Sequence, residues 1–197
     1  RVVLADAAGA ALAEGRATLE LRRPVERVAP VQVPLVPTGP GAFEGRVVLA
    51  RAGVDMVAPS GEGGERAMRL ALKTLAPDRK VNYINAHGTS TPVGDVGEVE
   101  AVRRVFGRGT TPLISSTKSM TGHSQGATGA QEAIYCLLML QNDFIAPSIN
   151  VETLDPAIDA GEIATARIDA AALDTVMTNS FGFGGTNGSM LMSKYWE

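Results

Sequence analysis

Among 197 residues there is one cysteine and there are two histidines, so few side chains are available for nucleophilic or metal chemistry. Cys136 has no second thiol to pair with, which excludes an internal disulfide and a cysteine-rich metal site. Such usage suits a reducing cytoplasm, the expected location. No apolar run approaches the roughly 18 residues of a membrane-spanning helix, so no membrane association is expected. A net charge of −3, evenly spread, gives no basic face for nucleic-acid phosphates, and nucleic acid is not an expected partner. The opening Arg1-Val2-Val3-Leu4 has no methionine and assembles no signal peptide; the expectation is a chain that starts mid-protein.

Residues 1–53 lack lysine, asparagine, histidine and cysteine, yet contain seven arginines and prolines at 24, 30, 34, 37 and 40. Short strands are expected at 17–21, 31–35 and 46–50, separated by proline and glycine. The texture changes near Gly53, which places a boundary between a divergent β-rich segment (1–53) and a second domain (54–197). The tail of another domain, a β-rich insertion and a reading-frame error in a G+C-rich gene all fit the first segment equally.

From Val54 onward helices and strands alternate. Ser60 reads as an N-cap before a helix over 65–75. A buried strand follows at 81–85. Val96, Val99, Val102 and Phe106 recur at helical spacing, with Glu98, Glu100, Arg103 and Arg104 assigned to the wet face. A strand over 113–116 precedes a helix over 126–141 that is apolar nearly all round and expected to be fully enclosed. A last strand pair, 176–179 and 189–192, flanks a glycine turn. This order predicts a layered α/β domain.

Both histidines stand in small-residue loops directly after strands, the positions where α/β sheets place ligands. Two neutral imidazoles there can each donate a hydrogen bond to one developing oxyanion. Lys118 would hold them neutral by like-charge repulsion, and Glu132 would pair with that lysine; both also read as ordinary ions at the surface or core edge. The run Asn179 to Asn187 is rich in glycine, so its backbone can approach a substrate or simply turn a hairpin. No Walker-type Gly-Lys-Ser/Thr follows it. Cys136 lies in the apolar interior of a helix, where burial would raise its pKa and hide it.

Three segments carry a family resemblance. Tyr83-Ile84-Asn85-Ala86-His87-Gly88-Thr89-Ser90-Thr91-Pro92-Val93-Gly94-Asp95 resembles the first histidine motif of the β-ketoacyl-acyl-carrier-protein synthases. Lys118-Ser119-Met120-Thr121-Gly122-His123 resembles the second, and Asn179 to Asn187 is similar to their phenylalanine gate. The match spans 54–197, and Asp55 to Gly63 with Phe144 to Asn150 resembles the type I bacterial enzyme in particular.

The resemblance implies a thiolase-like fold, here its C-terminal βαβαβ half. It also implies an acyltransferase that extends fatty-acyl chains by decarboxylative condensation with malonyl-acyl-carrier protein. His87 and His123 would promote decarboxylation and Lys118 and Glu132 would organise their electrostatics. Phe183 would lend a backbone N–H to the oxyanion hole. Thr89 and Thr91 would bind the phosphopantetheine arm, Phe181 with Phe183 would form the gate, and Phe181 and Gly184 would contact substrate. No bound cofactor is implied, because substrates arrive on the arm of acyl-carrier protein; a homodimer is.

The departure is a missing nucleophile: the family's acyl-accepting cysteine belongs to the first half, and residues 1–53 contain none. The expected entity is therefore a partial enzyme that needs a partner chain or segment supplying that cysteine. The alternative is a non-catalytic synthase-like module that binds acyl chains or carrier protein. The joint presence of His87, Lys118 and His123 argues against it. A serine hydrolase is the third class, ranked last because a Gly-x-Ser-x-Gly elbow is not expected and no serine stands on a recognisable strand-to-helix elbow.

Overall fold

The computed structural model describes residues 31–33, 43–51, 61–182 and 185–194, with side chains from residue 61 onward. Its strands are β1 (Val31–Val33), β2 (Phe43–Arg51), β3 (Val81–Asn85), β4 (Leu113–Ser115), β5 (Phe144–Ile145), β6 (Ile168–Asp169), β7 (Thr175–Gly182) and β8 (Thr186–Lys194). The helices are α1 (Glu62–Leu72), α2 (Gly94–Phe106), α3 (Lys118–Thr121) and α4 (Thr128–Asn142).

One six-stranded sheet runs β1-β2-β8-β7-β3-β4, and β5 with β6 makes a separate two-stranded ribbon. β3 is parallel to both β4 and β7, whereas β7 and β8 form an antiparallel hairpin that β2 extends. The compositional change at Gly53 thus falls between two elements whose neighbours share one sheet.

Because strand side chains alternate between faces, adjacent core residues serve different layers. Ile84, Met177 and Leu191 face α1 and α2, in a cluster with Met68, Ala71, Val99 and Val102. Tyr83, Val176 and Met192 face the other way, onto Cys136, Met139 and Leu140 of α4. Each such apolar side chain contributes about 1.5–3 kcal/mol by leaving water, so two independent layers hold the same strands rigid. Rigid parallel strands in turn fix the loops at their C-terminal ends, where His87 and Lys118 emerge.

Several expectations change. α1 begins at Glu62, three residues early, with Gly61 in a left-handed conformation (φ 66°) at its cap and no side-chain cap bond. Ser60 lies outside the described residues. A glycine at position 64 is tolerated inside this helix because its face meets an aromatic ring: a Cβ there would lie 2.6 Å from Phe181 Cζ.

Glu98 and Arg103, assigned to the wet face of α2, are buried. Arg103 is enclosed by Glu162, Glu100, Asp159 and the Ala157 carbonyl, which replace its water. α4 is not fully enclosed, for Ile134 and Leu138 are exposed on one stripe. Its apolar circumference exceeds what the described residues cover. The final strands are eight and nine residues long instead of four, since the hairpin pairing absorbs most of the glycine-rich run. Strand 31–35 appears as β1 and 46–50 lies within β2, while 17–21 is outside the described residues.

Candidate active site

His87 follows β3 by two residues and Lys118 follows β4 by three, so parallel pairing of these strands sets the two loops side by side. The loops are stitched together below the histidines. Ala86 N–H donates to the Ser115 carbonyl at 2.8 Å, and Ser116 Oγ donates to the Gly88 carbonyl at 2.8 Å. Asn85, fully buried, donates through Nδ2 to Thr117 Oγ1 at 3.0 Å and accepts the Thr117 N–H at 3.3 Å. Asn85 therefore fixes the backbone immediately before Lys118.

The carboxylate of Glu98 fixes the other loop. Its two oxygens accept the backbone N–H groups of His87 (3.0 Å) and Gly88 (2.9 Å), and Asn179 Nδ2 donates to it at 3.1 Å. Burial raises the Glu98 pKa, while these donors pull it back. Asn179 in turn accepts from Ser189 Oγ at 2.8 Å, which ties the clamp to the β7–β8 hairpin. The N–H groups of His87 and of the residue after it are thereby oriented by a residue outside both histidine motifs, seven positions beyond Thr91. The helical pattern hid it, since a charged residue in an amphipathic helix reads as wet.

The imidazoles of His87 and His123 meet edge to face, with centroids 5.4 Å apart and planes at 87°. Phe181 stands 5.8 Å from His87 on another side. The His87 pKa is lowered to about 4, first by burial of the ring and then by the positive charge of Lys118. The ring is therefore neutral at physiological pH. Its Nδ1 is buried without a hydrogen-bond partner.

His123 is held differently. The Gln125 N–H donates to its Nδ1 at 3.2 Å, and Thr128 Oγ1 lies 2.9 Å from the same nitrogen. A nitrogen that accepts from a backbone N–H carries no proton, so the neutral ring has its hydrogen on Nε2.

Lys118, 7% exposed, is ion-paired with Glu132, 1% exposed. Burial pushes the Glu132 carboxyl up to about 7, against the pull of the lysine. The other Glu132 oxygen and Thr178 Oγ1 have no hydrogen-bond partner. No group of three or more His, Cys, Asp or Glu side chains that could hold a metal occurs among the described residues.

His87, His123, Lys118, Glu132 and Phe181 thus converge. Thr89 and Thr91 share the His87 loop, where the Thr91 N–H donates to Asp95 Oδ1 at 3.3 Å. Phe183 and Gly184 lie outside the described residues. Cys136 is fully buried on α4 and burial pushes its thiol up to about 12, as befits packing and not nucleophilic attack.

Gly122-His123-Ser124-Gln125-Gly126 has the Gly-x-Ser-x-Gly spelling of a hydrolase elbow. Ser124, however, follows α3 and opens a 3-10 turn over Gln125–Ala127. No strand delivers it, so the elbow geometry is absent at that serine.

A three-layer α/β arrangement with paired histidines in the loops beyond adjoining strands defines the fold class as thiolase-like. Residues 48–152 match the family described as beta-ketoacyl synthase, C-terminal domain, and the chain belongs to that family. It is 62% identical over 143 residues to 3-oxoacyl-[acyl-carrier-protein] synthase 1 of Haemophilus influenzae, a match covering 73% of this chain and 34% of that protein. A beta-ketoacyl synthase from Burkholderia phymatum has 37% identity and a TM-score of 0.68, covering 76% of this chain and 36% of that one. A type II PKS acyl-carrier protein in complex with its ketosynthase bound to the hexaketide has 30% identity and a TM-score of 0.68, covering 76% and 38%. The chain spans about a third of the length of the curated relatives it matches.

Proposed function

We propose that this chain carries the decarboxylating half of a β-ketoacyl-acyl-carrier-protein synthase, an acyltransferase that elongates fatty-acyl chains by condensation with malonyl-acyl-carrier protein. The observation that carries the reading is the edge-to-face pair His87–His123, with the charge of Lys118, ion-paired to Glu132, acting on His87. Loss of carbon dioxide from a malonyl thioester leaves an enolate whose oxygen needs hydrogen-bond donors in fixed positions. His123 offers Nε2–H, and neutral His87 offers its second donor from a ring whose other nitrogen is enclosed. The buried lysine adds positive charge nearby and, after burial of the ring, helps hold His87 neutral. The carbon–carbon bond then forms between the enolate carbon and the carbonyl carbon of an acyl group held as a thioester, whose carbon–sulfur bond breaks as the thiolate leaves.

That acyl thioester requires a cysteine, and Cys136 is unsuited to the role. A partner chain or segment would supply it. Acyl-carrier protein would deliver the substrate, as the name of the relative implies for that enzyme, with Thr89 and Thr91 contacting its phosphopantetheine arm and no cofactor held by the chain itself. Phe183 would give its backbone N–H to the acyl oxyanion and Gly184 would contact the substrate. We place the assembly in the cytoplasm as a homodimer; no helix of the described residues is long and apolar enough to cross a membrane.

The test joins residues 54–197 to the cysteine-bearing half of a type I synthase and measures malonyl-acyl-carrier-protein decarboxylation. Turnover is expected, with His87→Ala and His123→Ala each reducing it by at least about a hundredfold. Unchanged rates in either variant would remove the assigned roles.

A further inference from the structure

The approach of Phe181 to His87 depends on a residue outside the histidine and phenylalanine motifs, Gly64. This glycine is buried in the first turn of α1, and its φ is not positive, so the backbone makes no demand for a glycine there. A helix disfavours glycine against alanine by roughly two- to fivefold in its equilibrium constant. What glycine supplies is room: a Cβ at this position would lie 2.6 Å from Phe181 Cζ, 2.9 Å from Cε2 and 3.3 Å from Cε1. Those three atoms are the tip of the ring, so Phe181 points end-on into a notch that the missing side chain leaves in α1.

We propose that Gly64 is a positioning residue for the first imidazole: the notch in α1 seats the tip of Phe181, and the seated ring stands against His87. The hairpin fixes the backbone of Phe181, which pairs with Asn187 of β8, but rotation about the side-chain bonds leaves the ring free to swing. Sheet pairing sets where the side chain starts and the notch sets where it ends. In the seated position the ring centroid is 5.8 Å from that of His87, with the planes tilted by 48°. His123 meets the same imidazole edge to face at 5.4 Å. Two rings thus stand against the His87 imidazole, and one of them keeps its place only while position 64 has no side chain.

A methyl group at position 64 must displace either the ring or the helix. Rotation of the ring is the easier response, because the clash falls on the far end of a rotatable side chain and not on backbone. Its departure removes an apolar neighbour from His87 and admits water to an imidazole whose value as a donor depends on a fixed, water-excluded position. The catalytic meaning of the seat rests on the proposed decarboxylation; the packing of Gly64, Phe181 and His87 does not.

Proton NMR of the full chain should show Overhauser contacts between the ring protons of Phe181 and His87. Gly64→Ala should abolish them and shift the His87 ring resonances, while the contacts between the two histidine rings persist and report an intact fold. Urea unfolding of Gly64→Ala, Phe181→Leu and the double variant separates the notch from the general preference of helices for alanine. Leucine ends short of the Cε and Cζ atoms that the new methyl would meet, so in the Phe181→Leu background Gly64→Ala should raise the folding equilibrium constant by roughly two- to fivefold. With Phe181 in place it should give no such gain. Equal gains in both backgrounds, ring contacts that survive in Gly64→Ala, or their absence from the wild type would overturn the proposal. Should Gly64→Ala alone fail to fold, the double variant decides: it must exceed Phe181→Leu in stability, and a double variant that does not would overturn the proposal too. In the joined synthase, Gly64→Ala should lower kcat for decarboxylation and leave KM in place; a loss confined to KM would remove the assignment to His87. Ring contacts and stabilities as expected, with no decarboxylation in that hybrid, would instead count against the functional reading alone.

Discussion

Glu98 receives the backbone N–H of His87 at 3.0 Å from a helix that also packs into the core, so a carboxylate on α2 sets the backbone from which the first imidazole projects. The side chain is enclosed and accepts from three donors. Replacing it by an isosteric amide turns an NH2 against at least one of them.

Glu98→Gln should accordingly destabilise the chain by about 1–3 kcal/mol, the cost of leaving a buried donor unmatched. Urea unfolding measures it. A variant as stable as wild type would mean that the clamp is not maintained in solution.

Lys118→Ala removes one member of a buried ion pair and leaves the Glu132 carboxyl enclosed with no cation. A loss of about 3–5 kcal/mol is expected for a pair broken in this way. The double change Lys118→Met with Glu132→Leu should recover most of that stability, because no buried charge is then left alone. Failure of the double variant to exceed the single one would show that packing, not charge, dominates at this position.

The pH response of His87 follows from its lowered pKa. A proton joins the unfolded ring near pH 6.5 but the folded ring only near pH 4. Between these values the unfolded state binds more protons, so the contribution of His87 to stability is complete above about 6.5 and is lost as pH falls through 4. Its ring resonances should stay unprotonated at pH 5.5, and His87→Gln should flatten the pH dependence of stability in that window. A titration midpoint near 6.5 would contradict the burial that the geometry gives this ring.

Cys136 should resist thiol reagents in the folded chain, given a fully buried side chain whose thiol is pushed up to about 12. Intact mass spectrometry after iodoacetamide should show no adduct under native conditions and one in denaturant. The same instrument, after incubation with an acyl-acyl-carrier-protein donor, should find no acyl group on the chain. Rapid native labelling or an acyl adduct at Cys136 would restore it as a nucleophile.

Local patterns were sufficient for much of this. The run Val81-Asn85 is short and rich in strand-forming Val, Tyr and Ile, and it forms the strand expected of it. The two histidine loops are visible as small-residue segments after strands, whereas the Lys118–Glu132 pair, fourteen positions apart, is decided by the fold. The α/β layering followed from the alternation of helix and strand.

Other features depend on contacts between distant segments, and no local pattern encodes those. Glu98 and Arg103 read as wet because an amphipathic helix usually turns its charges outward; only the return of Asn179 and of Glu162 to α2 supplies the partners that let them be buried. Gly64 breaks the helical pattern near the start of α1 until Phe181, far along the chain, is placed against it. Thr128 lies inside the helix expected over 126–141, and its contact with His123 exists only because the loop ahead of it folds that ring back to within 2.9 Å. The sequence by itself determined which elements form and which residue types could perform the chemistry, because periodicity and turn propensity act over a few neighbours. Tertiary structure alone decided which buried polar groups found partners, because a charge or hydroxyl is stable inside a protein only where the rest of the chain arrives to meet it.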